Sequence, residues 1–178
     1  MRARAGRRTM ERMIASTTAP TPNLAQRLIQ HVASMRPVAA VFRHTFHHID
    51  RWTRGALRGR TLSGILAGVP NVMLTTTGAK SGKARTVPVV GVPVDGGAIA
   101  VVGTRWGSQH NPGWSYNLVA NPHAVVERSG ERIEVEARRV DDAEEYDTIM
   151  RRADEVYVGF AKYRRRVTRR SVPIFVLR

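Results

Sequence analysis

Residues 75–85 read TTTGAKSGKAR, and the fold turns on what flanks them. An apolar run of Val72, Met73 and Leu74 enters the stretch, and a β-rich run from Thr86 to Val94 leaves it. Gly78 and Gly82 let the chain reverse between the two runs. Lys80, Ser81, Lys83 and Arg85 then share the tip of a strand–loop–strand element. Their cationic and hydroxyl donors suit a phosphate or a carboxylate, although the same residues also describe a solvated hairpin tip. The stretch is not a nucleotide-triphosphate P-loop. That motif needs four residues between its glycines, a Ser or Thr after the lysine and a helix next; here there are three, Ala84 follows Lys83, and strand continues.

Working outward, strands are predicted over 71–77, 86–94, 97–103, 123–128, 131–140 and 172–177. Asp95-Gly96 and Ser129-Gly130 mark hairpins. A helix is predicted from Asn111 as N-cap and Pro112 in the first turn up to Asn121 and Pro122. A longer one begins at Asp141, where Asp141 and Glu144 have capping-box spacing, and carries Tyr146, Ile149, Met150, Ala153, Val156 and Tyr157 on one side. Gly159 ends or kinks it. Short antiparallel strands interrupted by two helices predict a mainly β, α+β architecture, a small barrel rather than a doubly wound sheet.

Ahead of this barrel domain (71–178), residues 1–23 read as a flexible basic leader and 24–70 as a helical region. In the second helix there, Val38, Val41, Phe42, Thr45, Phe46 and Ile49 share one face. His44 and His48 stand four apart, but no carboxylate lies between them and no third ligand is near, so they read as a polar face and no metal site is expected.

The charge is +15 and uneven: residues 1–70 carry 12 Lys and Arg against 2 acids, residues 71–178 carry 17 against 12. Such an excess calls for an acidic partner, whether nucleic acid, an anionic membrane surface or a polyanionic ligand. The absence of cysteine excludes disulfides, thiolate metal sites and thiol nucleophiles. No stretch approaches the roughly 18–20 apolar residues of a membrane span, and the basic N-terminus leads into no signal-peptide core. A cytoplasmic protein is expected, with membrane association open.

Two further stretches carry candidate chemistry. Residues 102–117, VGTRWGSQHNPGWSYN, end a strand in a polar loop and open a helix. Free N–H groups at that helix start favour negative charge, Arg105 adds a full positive one, and Trp106 and Trp114 offer planar apolar surface. Tyr157, Phe160 and Tyr163 follow at steps of three near a helix end, as core or as hydroxyl donors to a substrate. No G-x-S-x-G elbow and no zinc-binding histidine motif is present, so a bound cofactor is expected to carry any reaction.

In combination, LTTTGAKSG at 74–82, RTVP at 85–88, GTR at 103–105 and NPGWSYNLVANP at 111–122 resemble the deazaflavin (coenzyme F420)-dependent nitroreductase family, an actinobacterial group of oxidoreductases. The likeness runs from about Val72 to the last strand. It implies a split β-barrel, FMN-binding-like, that binds reduced 8-hydroxy-5-deazaflavin with its oligoglutamate tail and passes a hydride to an electron-poor acceptor: a quinone, an enone or a nitro compound. By the same resemblance Lys80, Ser81 and Arg85 hold the phosphate and tail. Thr86, Val87, Pro88, Val89, Val102, Gly103, Thr104, Arg105, Gly113, Trp114 and Asn117 line the cofactor. Tyr157, Phe160 and Tyr163 border the substrate, with Thr104, Tyr157 and Tyr163 as catalytic hydroxyls. Ala79 stands where family members often carry a basic residue, which removes one tail contact.

A polyanionic cofactor accounts for clustered Lys and Arg without nucleic acid, so the expected partner is a small-molecule acceptor. The N-terminal amphipathic helix additionally suits an anionic membrane surface. The competing readings are a basic nucleic-acid or membrane-binding protein without redox chemistry, and a split barrel that uses FMN. The residues set no oligomeric state.

Overall fold

The computed structural model describes residues 69–128 and 130–178. The expected leader, the N-terminal helices and the His44/His48 pair lie outside the described residues. Six strands form a closed antiparallel barrel: β1 (Asn71–Thr77), β2 (Ala84–Val94), β3 (Ala98–Val102), β4 (His123–Arg128), β5 (Glu131–Arg139) and β6 (Ile174–Leu177). Their order around the barrel is β1-β2-β3-β6-β5-β4. Three helices accompany them, α1 (Gly113–Ala120), α2 (Ala143–Val156) and α3 (Gly159–Arg166). No helix among the described residues is long and apolar enough to cross a membrane.

The hairpins sit where the turn residues put them. Asp95, Gly96 and Gly97 join β2 to β3, and Gly96 and Gly97 take φ of 75° and 69°, a region closed to most side chains. Arg128 pairs with Glu131 across the second turn. The last strand begins later than expected, at Ile174 rather than 172, because Pro173 has no N–H to give the ladder. β3 is shorter by one residue at each end, and β2 begins two residues earlier, at Ala84.

Two apolar clusters lie on either side of the sheet. Inside the barrel, Val72, Leu74, Ile99, Val101, Val126, Val135, Phe175 and Leu177 are joined by Trp114 and Leu118 of α1, which plug the interior. Outside it, Ala98, Ala100, Val102, Ile174 and Val176 meet Ile149, Met150, Ala153 and Phe160 of α2 and α3. Strands β3 (AIAVV) and β6 (IFVL) are therefore continuously apolar and buried on both faces. Strand β5 (ERIEVEARR) alternates instead, burying only Ile133, Val135 and Ala137.

Two caps differ from the sequence reading. Asn111 does not cap α1: Pro112 occupies the N-cap position with no side-chain cap, and the Asn111 carboxamide oxygen accepts from Arg170 Nη1 at 2.7 Å. For α2 the capping residue is Asp142, one position later than expected. Its carboxylate accepts from the Glu145 N–H at 2.8 Å, while Asp141 pairs instead with Arg139. In both cases a neighbouring arginine engages the alternative cap.

Candidate active site

The barrel is split along β2. Residues Asn71–Thr77 of β1 pair with 84–90 of β2, and then β2 changes partner, Gly91 to Val94 pairing with β3. Among the described residues, the other edge of 84–90 pairs with no strand. Every second residue along such an edge presents an unused N–H and C=O. Strand β3 leaves the sheet at Val102, and the chain runs through Arg105–Gly107 into α1. Among the described residues a seam results, with the β2 edge as one wall.

At one end of the seam stands the loop 78–83. It is a closed turn: Gly78 N–H donates to the Lys83 carbonyl at 2.9 Å, and Gly82 N–H to the Gly78 carbonyl at 2.8 Å. The turn holds Lys80, Ser81, Lys83 and Arg85 exposed. Asn117 of α1 ties it down, its Oδ1 accepting from Ala79 N–H at 3.0 Å and its Nδ2 donating to Thr76 Oγ1 at 2.9 Å. Both ends of the Asn117 amide are thereby used, which also fixes its orientation.

At the other end, Arg105, Trp106 and Gly107 take φ of 46°, 59° and 78° in succession. For the two non-glycine residues this left-handed backbone costs of order 1–3 kcal/mol each and persists only where surrounding contacts impose it. Arg105 Nη1 donates to the Asn111 carbonyl at 3.1 Å, placing a cation beside the start of α1. Thr104 is 4% exposed, and its carbonyl accepts from the Gly107 N–H at 3.0 Å. Helix α1 starts at Gly113, two residues after Asn111, and carries Asn117 to the basic loop.

Tyr157, Phe160 and Tyr163 are brought together, though not as one helix face. Tyr157 follows α2 with extended backbone, while Phe160 and Tyr163 belong to α3. The three are 8%, 4% and 3% exposed, where a helix end near the surface was expected. Tyr157 Oη and Tyr163 Oη are hydrogen-bonded at 3.0 Å. Phe160 meets the Tyr157 ring edge-on at 5.7 Å, and Trp106 meets Tyr163 likewise at 5.7 Å. The Trp106 turn thus lies directly against the tyrosine pair.

Burial pushes both phenols up from the usual tyrosine value, and each remains a neutral hydroxyl at physiological pH. The unfolded chain ionises first as pH rises, so the stability this burial represents is complete below about pH 10 and is lost above it. The free energy of unfolding should therefore fall by up to about 1.4 kcal/mol per pH unit for each tyrosine. Urea titrations between pH 9 and 12 should show a shallower slope for Tyr163→Phe; equal slopes would place the pair in solvent. Gly159 offers a second handle, because a Cβ there overlaps the Tyr157 ring. Gly159→Ala should displace Tyr157 and cost about 1–3 kcal/mol, seen as a lower urea midpoint.

The profile of the F420H(2)-dependent quinone reductase family matches residues 45–178. The chain belongs to this family. An F420H(2)-dependent quinone reductase of Mycobacterium tuberculosis is 31% identical over 131 residues, covering 72% of this chain and 84% of the relative. A putative F420H(2)-dependent quinone reductase of Mycobacterium bovis matches with the same figures. Among solved structures, an F420-H2 dependent reductase (FDR-A) is 35% identical with a TM-score of 0.55, covering 61% of this chain and 94% of that one. A structure described as a domain-swapped dimer is 31% identical with a TM-score of 0.57, covering 74% and 98%.

In this F420-dependent reductase the residues expected at the cofactor are distributed around the seam, but not always by their side chains. Val87 and Val89 pack against the barrel interior. Thr86 points to the outer face, its hydroxyl 2.9 Å from that of Thr75, and Pro88 stands opposite Met73. Trp114 turns into the barrel, edge-on to Phe175 at 5.9 Å. Val102 faces the outer cluster, and Gly103 is pinned, its N–H donating to the Pro173 carbonyl at 2.8 Å. An open groove of about 570 Å³ is lined by Thr75, Thr77, Ala84, His123, Val125 and Glu134, on β1, β2, β4 and β5, and none of the three aromatics at 157, 160 and 163 lines it.

Sequence reasoning missed two residues that hold the seam. Gln109 bridges to the segment after α3: its Oε1 accepts from the Thr168 and Arg169 N–H groups at 3.2 and 3.1 Å, and its Nε2 donates to the Arg166 carbonyl. Arg170 reaches back to residues 103–111 in the same way. Its half-burial lowers its pKa from the usual arginine value, yet the guanidinium stays charged. Nothing in a run such as RRRVTRRS marks one arginine as structural, because the partners are carbonyls some 60 positions earlier.

Proposed function

We propose that the seam holds reduced coenzyme F420, with a quinone beside it against the tyrosine pair. The observation that carries this reading is the β2 edge that pairs with no strand among the described residues, flanked at one end by an exposed basic loop and at the other by the strained Arg105–Gly107 turn. When bound, the deazaflavin supplies the hydride. Lys80, Ser81 and Arg85 bind the phosphate and the carboxylates of the tail, as point charges and a bidentate fork. The backbone of Thr86, Val87, Pro88 and Val89 forms one side of the ring site. Val102, Gly103, Thr104 and Arg105 form the other, with Gly113, Trp114 and Asn117 setting its depth.

Hydride transfer asks the protein chiefly to hold donor and acceptor about 3–3.5 Å apart. Here that task falls to the Trp106 turn and to Phe160, which close the acceptor side. Thr104 carries a hydroxyl, and the Tyr157–Tyr163 pair has one proton beyond the bond it makes internally. These groups donate hydrogen bonds to the carbonyl oxygens of a quinone, where negative charge develops. Because both phenols stay neutral, they serve as donors over the whole physiological pH range.

Absorbance and fluorescence titrations with reduced and oxidised F420 test the reading, followed by oxidation of the reduced form with menadione. Binding in the about 1 μM–1 mM range typical of enzyme ligands is expected, with turnover; a protein that binds neither form would overturn it. The charge excess in residues 1–70 supports a second, peripheral role at an anionic membrane in the cytoplasm, where quinones reside in the adjoining bilayer. The full chain should co-sediment with anionic vesicles at low salt and be released at high salt, and equal retention on zwitterionic vesicles would count against the role.

A further inference from the structure

We propose that Arg170 is the positioning residue for the reacting end of the seam, holding residues 103–111 in place from outside without touching the substrates. Every nitrogen of its guanidinium is engaged by this loop or the chain beside it. Nε donates to the Ser108 carbonyl at 3.1 Å, and Nη2 to the carbonyls of Gly103, Thr104 and Ser108 at 3.1, 3.1 and 3.0 Å. Nη1 donates to Asn111 Oδ1 at 2.7 Å and to the Ser171 carbonyl at 3.1 Å.

These contacts bracket the strained turn. Gly103 and Thr104 precede Arg105–Gly107, Ser108 follows it, and Asn111 leads into α1. Left-handed backbone at Arg105 and Trp106 is unfavourable on its own, so an external constraint must hold it. A planar fork with five N–H groups can satisfy carbonyls arranged on three sides, whereas an ammonium on a flexible stem cannot hold the same set. Gln109 reinforces the same junction through Thr168 and Arg169. By fixing the Thr104 carbonyl, Arg170 sets where the Thr104 hydroxyl and the Trp106 ring stand, and Trp106 in turn lies against Tyr163. The loop that carries Lys80 and Arg85 is secured separately, by Asn117. Arg170 therefore acts on ring placement and not on tail capture.

The proposal rests on the cofactor reading above, and its test separates the two. In the ligand-free full chain, Arg170→Lys should speed amide exchange at Gly107 and Ser108, whose N–H groups bond the Thr104 and Arg105 carbonyls, by about tenfold or more. With F420 and menadione, kcat per F420-binding molecule should fall about ten- to a hundredfold while the F420 Kd stays within about threefold. Unchanged exchange, or unchanged kcat in folded protein, overturns the proposal. A proportional loss of Kd and kcat does so too, since that is what general destabilisation produces. Asn111→Ala removes only the 2.7 Å contact and should move exchange and kcat the same way by less, which decides the matter if Arg170→Lys does not fold. Failure of the parent protein to bind F420 would sink the cofactor reading instead, and the exchange result would still decide whether Arg170 holds the turn.

Discussion

The double variant Lys80→Ala/Arg85→Ala should bind reduced F420 about 100-fold more weakly than the parent protein while unfolding at the same temperature. Both side chains are exposed, and neither has an ion-pair partner among the described residues. Removing them therefore leaves no buried group unsatisfied and should shift stability by no more than about 0.5 kcal/mol. Binding is another matter. A hydrogen bond to a charged group contributes about 1.5–3 kcal/mol net, and solvent screening places exposed cations at the low end. Two such contacts come to about 3 kcal/mol, which is about 100-fold in Kd. The parent protein's affinity should also weaken with added salt, and the variant's should respond much less. Fluorescence titration reads both effects, and parent-like binding by the variant would remove the tail from this loop.

A second large effect is expected from Phe175→Ala. Phe175 is 2% exposed inside the barrel and meets Trp114 edge-on at 5.9 Å. Truncating a buried phenylalanine costs about 3–5 kcal/mol, the transfer term plus the cavity left behind. For a domain of this size the melting temperature should fall by roughly 10 °C or more. The damage should also reach the site, because Trp114 anchors α1 in the barrel and α1 carries Asn117 to the basic loop. Phe175→Leu, which fills most of the volume, should lose only about 1 kcal/mol. A thermal melt showing no difference between the two variants would mean the barrel interior does not close around this ring.

Much of this architecture is legible in the chain because it rests on local rules. Strand periodicity, the Asp95-Gly96 turn and the basic turn after Leu74 each depend on neighbours a few residues away. Motifs shared with the F420-dependent reductases added the cofactor, and the family match agrees with that reading. Local rules failed where an arginine competes for the capping side chain, from far along the chain or from close by. Asn111 is a good cap by composition, but Arg170 takes its carboxamide; Asp141 has capping-box spacing, but Arg139 holds it and Asp142 caps instead. The three aromatics at steps of three read as one helical stripe, yet the chain breaks at Tyr157 and assembles them from two elements.

The residues by themselves determined a small antiparallel barrel and a basic turn at 78–85. Only the tertiary structure decided that β2 changes partner at Gly91 and, among the described residues, leaves an edge without a strand, that Trp114 plugs the barrel, and that Arg170 grips the turn before α1. The physical reason is range. Propensity and periodicity act over one turn of helix or one pleat of strand, and they are written in consecutive residues. A guanidinium filled by carbonyls from another segment, or a strand edge left without a neighbour, depends on where separate parts of the chain meet.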